Sequence, residues 1–140
     1  MSINILHSIP SPVWITSDSD LAQHCQRWQT QDFIALDTEF MRTSTFYPKP
    51  GLVQVADDQD CYLIDPLTVT DWSPFAELLD NLQVVKIFHA CSEDLEVCHR
   101  LTGTTPNPVA DTQVGAALGS LGGIMGFQRL VKAVLGIDID

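Results

Sequence analysis

The chain has 140 residues, with seven Lys or Arg against eighteen Asp or Glu, and a formal net charge of −11. That length fits one domain, and a hydrophobic content of 45% excludes a disordered chain. A pI near 4.4 excludes general electrostatic attraction to nucleic acid or anionic membrane, so a polyanionic ligand would need a local basic patch or bound cations.

Val13 to Thr16 reads as a short strand. Ser17 to Asp20 supplies helix-start chemistry, and Leu21, Cys25 and Trp28 then recur at helical spacing. Phe33 to Leu36 is a continuous apolar run that fits a strand buried on both faces, ending at Asp37. Residues 40 to 50 read as a loop closed by Gly51. Leu52 to Ala56 and Cys61 to Ile64 form a predicted antiparallel hairpin across the polar link 57 to 60. Ser73 and Pro74 are the predicted N-cap and first-turn pair of a helix through Phe75, Leu78 and Leu79.

Val84 to Phe88 is the next predicted strand, followed by His89. Ser92 is the predicted cap of a helix carrying Asp94, Leu95, Cys98 and Leu101, with Gly103 as its stop signal. A short strand is expected at Val109 and Ala110, then a helix from Thr112 to Leu118. A Gly-rich break from Gly119 to Gly126 leads to a helix from Phe127 to Leu135. The order implies an α/β domain: one mixed sheet of antiparallel hairpin strands and parallel strands, flanked by helices. The Gly-rich break has no preceding strand and no G-x-G-x-x-G pattern, so it reads as a connector.

Four cysteines show no C-x-x-C pair, which fits reduced thiols packed as small hydrophobes. The N-terminal stretch has no Lys or Arg ahead of its short apolar run, unlike a secretory signal, and no run reaches membrane-spanning length. The expectation is a cytoplasmic protein with no membrane partner.

Asp37-Thr38-Glu39 is the strongest chemical feature. In an extended chain, residues i and i+2 point to the same side with Cα atoms roughly 6.5 Å apart. Two carboxylates so placed repel each other, and a hard divalent cation such as Mg²⁺ or Mn²⁺ relieves that conflict. An ordinary strand end with two solvated acids explains the same residues. Asp94, in a first helical turn after another strand, can approach Asp37; complementing the helix dipole is its plainer explanation. His89 can orient a phosphate or a metal-bound water, or serve as a local hydrogen-bonding residue.

These residues carry a family resemblance. Phe33 to Phe40 (Phe-Ile-Ala-Leu-Asp-Thr-Glu-Phe) resembles the first exonuclease motif of ribonuclease D, and His89 to Val97 resembles the second. Gly51 to Val55, Leu63 to Pro66 and Asp111-Thr112-Gln113 resemble the same family in order and spacing. The resemblance implies a ribonuclease H-like fold and a DEDD-type 3′→5′ exonuclease that uses two divalent ions, Mg²⁺ or Mn²⁺. By position it implies that Asp37, Glu39 and Asp94 are catalytic metal ligands. Asp37 would be shared by both ions, and Asp94 would act mainly through metal-bound water.

The family's third motif, a Tyr with an Asp four residues on, has no match: Tyr47 and Tyr62 are the only tyrosines, and neither has that Asp. Residues 1–140 are therefore expected to be an incomplete exonuclease domain, C-terminally truncated. The third motif and any C-terminal helical nucleic-acid-binding domains would be absent, leaving weak metal binding and little activity. Arg42, Phe46, Tyr47 and Lys49, in the loop beside the proposed metals, combine cations with stacking surfaces for a single strand. Packing of those aromatics back onto the domain is the alternative.

The expected activity is release of nucleoside monophosphates from single-stranded RNA 3′ ends, with tRNA precursors among the substrates the resemblance implies. A non-catalytic nucleic-acid-binding or protein-interaction module on the same fold is the rival. The residues do not separate RNA from DNA. Dimerisation through the face left open by truncation is a further expectation.

Overall fold

Among the described residues, alternation along the strands sorts one sheet into a covered face and an open one. The computed structural model describes residues 11–41 and 49–118. Within them, β1 (Val13–Ile15), β2 (Phe33–Met41), β3 (Lys49–Ala56), β4 (Cys61–Ile64), β5 (Val85–Phe88) and β6 (Val109–Asp111) form a sheet ordered β1-β4-β3-β2-β5-β6. The β4-β3-β2 centre is antiparallel, whereas β1 on β4, β5 on β2 and β6 on β5 are parallel. Four helices accompany it: α1 (Asp18–Trp28), α2 (Ser73–Asp80), α3 (Ser92–Thr102) and α4 (Thr112–Leu118). The expected mixed α/β sheet is what the chain forms.

On the covered face, Ile34, Leu36, Val53, Val55, Ile64 and Phe88 join Leu21, Cys25 and Trp28 of α1 and Phe75, Leu78 and Leu79 of α2 in one core. Each such side chain contributes roughly 1.5–3 kcal/mol of hydrophobic stabilisation. Ser17 caps α1 by accepting the Asp20 N–H at 3.2 Å, as its position predicts. Gly103, at φ 75°, ends α3 in the left-handed conformation expected of a stop signal.

Several predicted boundaries move. The strand expected to end at Asp37 runs on to Met41, because residues 35–41 pair with 56–49 of β3. Of the expected loop of residues 40–50, Phe40 and Met41 belong to β2 and Lys49 and Pro50, with Gly51, to β3, while residues 42–48 lie outside the described residues. A register shift between Glu39 and Phe40 marks an irregularity at the end of the acidic run. Ser73 is the first residue of α2, not its cap, because the Asp71 carboxylate captures both its N–H and its hydroxyl. Ser92 likewise lies inside α3; its preceding turn is held by the carboxylate of Asp111. The predicted break at 119–126 and helix at 127–135 fall outside the described residues.

Two charged groups buried in this architecture found partners that sequence spacing does not reveal. Asp57, after β3, accepts from Arg27 at 2.6 Å, from Trp28 Nε1 at 3.0 Å and from the Gln59 and Asp60 N–H groups at 2.9 Å. Burial pushes its carboxyl up, but those donors outweigh burial and hold it well below the usual carboxylate range. Arg27 also donates to the Tyr62 hydroxyl at 2.6 Å, so one network joins α1 to the β3–β4 hairpin.

Lys86 is wholly buried on β5, and its Nζ donates to the carbonyls of Asn81 at 2.6 Å and Asn107 at 3.0 Å. Burial pulls its pKa from 10.5 down to about 8, against the opposing charge of Asp80. Below pH 8 both folded and unfolded chains carry the proton, and the burial penalty is felt in full. Between pH 8 and 10.5 only the unfolded chain still holds it, so stability gains as pH rises. Urea unfolding should show wild type gaining roughly 2 kcal/mol on Lys86→Met across that window, the comparison cancelling the buried thiols.

Candidate active site at the exit of β2

β5 pairs with β2 only along Phe33 to Ala35, so β2 continues past its parallel neighbour. The first turn of α3 enters there. Asp94 Oδ1 accepts the Thr38 backbone N–H at 3.0 Å and the Thr38 hydroxyl at 2.5 Å. A carboxylate thus stands where a strand carbonyl would otherwise satisfy the backbone. Thr38 and Asp94 are 5% and 6% exposed, which makes these bonds an anchor within the fold.

Thr38 faces the covered side, and alternation turns Asp37 and Glu39 to the open side, where both are exposed. Asp94 has its pKa raised, first by burial and then by the charges of Asp37 and Glu93, while the Thr38 bonds oppose the rise. Three acids from two elements therefore converge on one strand end.

The donor set fits a hard divalent cation: oxygen ligands only, with like charge that a cation would relieve. The geometry is not a finished cage. Among the described residues, no group of three or more His, Cys, Asp or Glu side chains is arranged to hold a metal ion. Asp94 is turned onto the Thr38 backbone, leaving Asp37 and Glu39 as the pair presented on the open face.

That face carries a groove of about 310 Å³, lined by Ala35, Asp37, Gln54, Ala56, Ile87 and His89 among others. His89 Nδ1 lies 2.9 Å from the Thr112 hydroxyl, which itself donates to the Phe88 carbonyl at 3.1 Å. A hydroxyl has one proton and a carbonyl none, so His89 supplies the proton of its own bond from Nδ1. His89 is thus at the groove wall beside Asp37. Lys49 opens β3 opposite Met41, while Arg42, Phe46 and Tyr47 fall outside the described residues.

Sequence reasoning missed three residues. Thr38, in sequence only the spacer between two acids, holds the third. Gln54 pairs in register with Asp37 and lines the groove. Asp111 accepts the Gln113 N–H at 2.9 Å and also binds the turn ahead of α3. Its place in a family-like Asp-Thr-Gln segment was the available signal.

Residues 12–140 match the 3′-5′ exonuclease family. Ribonuclease D of Pseudomonas paraeruginosa is 58% identical over 130 residues, covering 93% of this chain and 35% of the relative. Ribonuclease D of Escherichia coli K12 is 44% identical over 126 residues, covering 90% and 34%. The crystal structure of Escherichia coli RNase D, described as an exoribonuclease involved in structured RNA processing, is similar at a TM-score of 0.89 and 42% identity. That likeness covers 94% of this chain and 35% of the other. Trypanosoma brucei RNase D in complex with RNA U12 is similar at a TM-score of 0.82 and 24% identity, over 100% and 52%, a likeness of fold. The chain spans about a third of the length of the curated relatives it matches.

If Thr38 anchors Asp94, Thr38→Val removes one of two donors to a buried carboxylate while keeping the side-chain shape. Urea unfolding at pH 7 should show a loss of about 1–3 kcal/mol, and an unchanged midpoint would show the hydroxyl to be idle.

Proposed function

The chain belongs to the 3′-5′ exonuclease family, and from that premise we propose that it supplies the phosphodiester-cleaving site of a ribonuclease D-type 3′→5′ exoribonuclease. Its substrate class would be single-stranded RNA 3′ ends, tRNA precursors among them, with nucleoside monophosphates as products. The observation that carries this reading is the junction of β2 with α3, where Asp94 is fixed on Thr38 beside Asp37 and Glu39. Family membership favours this reading over the non-catalytic module.

In the proposal, Asp37 and Glu39 hold Mg²⁺ or Mn²⁺ on the open face, and Asp94 completes the acidic wall from the first turn of α3. When bound, such ions supply charge neutralisation at the scissile phosphate and lower the pKa of a nucleophilic water. The groove beside Asp37 gives the terminal nucleotide a surface, and His89 stands at its wall near the proposed position of the phosphate. Arg42, Phe46, Tyr47 and Lys49 are the proposed single-strand contacts between β2 and β3. Residues 1–140 contain no Tyr four positions before an Asp. We place that third motif, the remaining ligand and any helical nucleic-acid-binding domains of the complete enzyme outside these residues.

Among the described residues no helix is long and apolar enough to cross a membrane, and all four cysteines are free. Free thiols suit the cytoplasm, the compartment we propose. Trp14 and Phe33, 55% and 54% exposed on the open face, motivate a proposed dimer of the 140-residue chain through that face. Sedimentation that remains monomeric as concentration rises would remove the dimer.

The direct test is single-turnover degradation of a 3′-hydroxyl RNA oligonucleotide with Mn²⁺. The 140-residue chain should show little cleavage, and a chain extended through a Tyr-x-x-x-Asp motif should shorten the RNA stepwise from its 3′ end. Asp37→Asn in the extended chain should lower the rate by roughly 10³-fold or more, the scale expected for losing a metal-centred charge at the transition state. Undiminished cleavage by that variant would refute the assignment. Matched DNA and RNA oligonucleotides would fix the sugar preference.

A further inference from the structure

The turn between β5 and α3 is held from outside. Ala90 has a φ of 56°, in the left-handed region that an alanine adopts only under constraint. No side chain of its own caps α3, whose N-cap position is Cys91. The constraint comes from the corner where β6 meets α4. Asp111 Oδ1 accepts the Ala90 N–H and Oδ2 accepts the Cys91 N–H, both at 2.9 Å, and Oδ1 also takes the Gln113 N–H at 2.9 Å. Next to it, the Thr112 hydroxyl donates to the Phe88 carbonyl and receives the His89 Nδ1 proton.

Four consecutive residues, Phe88 to Cys91, are thus fastened to two consecutive ones. The groove-lining His89 and the buried Asp94 both follow from this turn. His89 takes its ring orientation and tautomer from Thr112. The direction in which α3 starts, and so the reach of Asp94 to Thr38, is set by the Asp111 carboxylate.

We infer that Asp111 and Thr112 are positioning residues of the exonuclease site: Asp111 aims Asp94 by locking the β5–α3 turn, and Thr112 fixes the His89 tautomer. The inference rests on the exonuclease reading for its meaning in catalysis, but its geometry is testable without catalysis. Neither residue touches the scissile phosphate in this scheme; each acts through its partner. Each of these carboxylate–N–H bonds is charge-assisted and so stronger than a neutral one.

The test uses NMR on the 140-residue chain, comparing wild type with Asp111→Asn and Thr112→Val. Asp111→Asn turns one acceptor into a donor facing backbone N–H groups. Amide exchange at Thr38, far away in sequence, should then accelerate roughly tenfold or more relative to the amides of β4. Thr112→Val should move the His89 proton off Nδ1, read from the ring ¹⁵N shifts, with β4 protection retained. Thr38 exchange that does not change in Asp111→Asn overturns the role of Asp111. Equal acceleration at Thr38 and β4 reduces Asp111 to a fold-stabilising residue and also overturns it. Retention of the Nδ1 proton in Thr112→Val overturns the role of Thr112.

An activity arm on the extended chain then addresses catalysis. Asp111→Asn should lower kcat roughly tenfold or more with KM for the RNA nearly unchanged, since a positioning loss acts on the transition state. A change in KM alone contradicts positioning. An inactive wild-type enzyme defeats the exonuclease reading and leaves the exchange and tautomer results standing.

Discussion

Where β2 outruns β5, the Thr38 N–H has no strand to donate to, and the Asp94 carboxylate takes that place. A backbone donor left unpaired in the interior costs as much as a lost hydrogen bond, so the junction must be closed by some acceptor. Closing it with an acid has a second consequence. The acid is brought to the part of β2 that already carries Asp37 and Glu39, and its burial, with the charge of Asp37 beside it, raises its pKa. The same two bonds therefore complete the fold and assemble the like charge that a divalent cation would relieve.

The sheet's two faces divide the labour. The covered face is filled by apolar side chains of α1 and α2, and its buried charges are fully engaged. Lys86 reaches two carbonyls, and Asp57 gathers Arg27, Trp28 and a turn. Among the described residues no buried side-chain nitrogen or oxygen lacks a partner. The open face keeps its carboxylates exposed beside an apolar groove, where charge remains available to a ligand. This bears on the net charge of −11, which disfavours a polyanion everywhere except where acids gather cations.

Local pattern was enough to read α1 with its Ser17 cap, the β3–β4 hairpin, the stop at Gly103 and the acid pair Asp37 and Glu39. It failed where the partner was remote. The apolar run of β2 reads as ending at Asp37 because Asp37, Thr38 and Glu39 are polar. They are nevertheless strand residues, with two acids exposed on one side and Thr38 satisfied by Asp94 from 56 positions away. Ser73 and Ser92 looked like caps because serine often is one. Asp71 and Asp111 captured the neighbouring backbone instead, and a carboxylate 20 residues downstream leaves no mark in the local sequence. Asp94 could be read as near Asp37 but not as bound to Thr38, since the offset between β2 and β5 exists only in the assembled sheet.

The central claim is that the exit of β2 is a divalent-cation site built on Asp37 and Glu39. Anomalous diffraction from crystals of the chain soaked in Mn²⁺ measures this most directly. The expected result is a manganese peak within coordination distance, about 2.0–2.3 Å, of both carboxylates, which disappears in Asp37→Asn. A peak elsewhere, or none at a Mn²⁺ concentration that saturates other acidic sites on the same molecule, would contradict it.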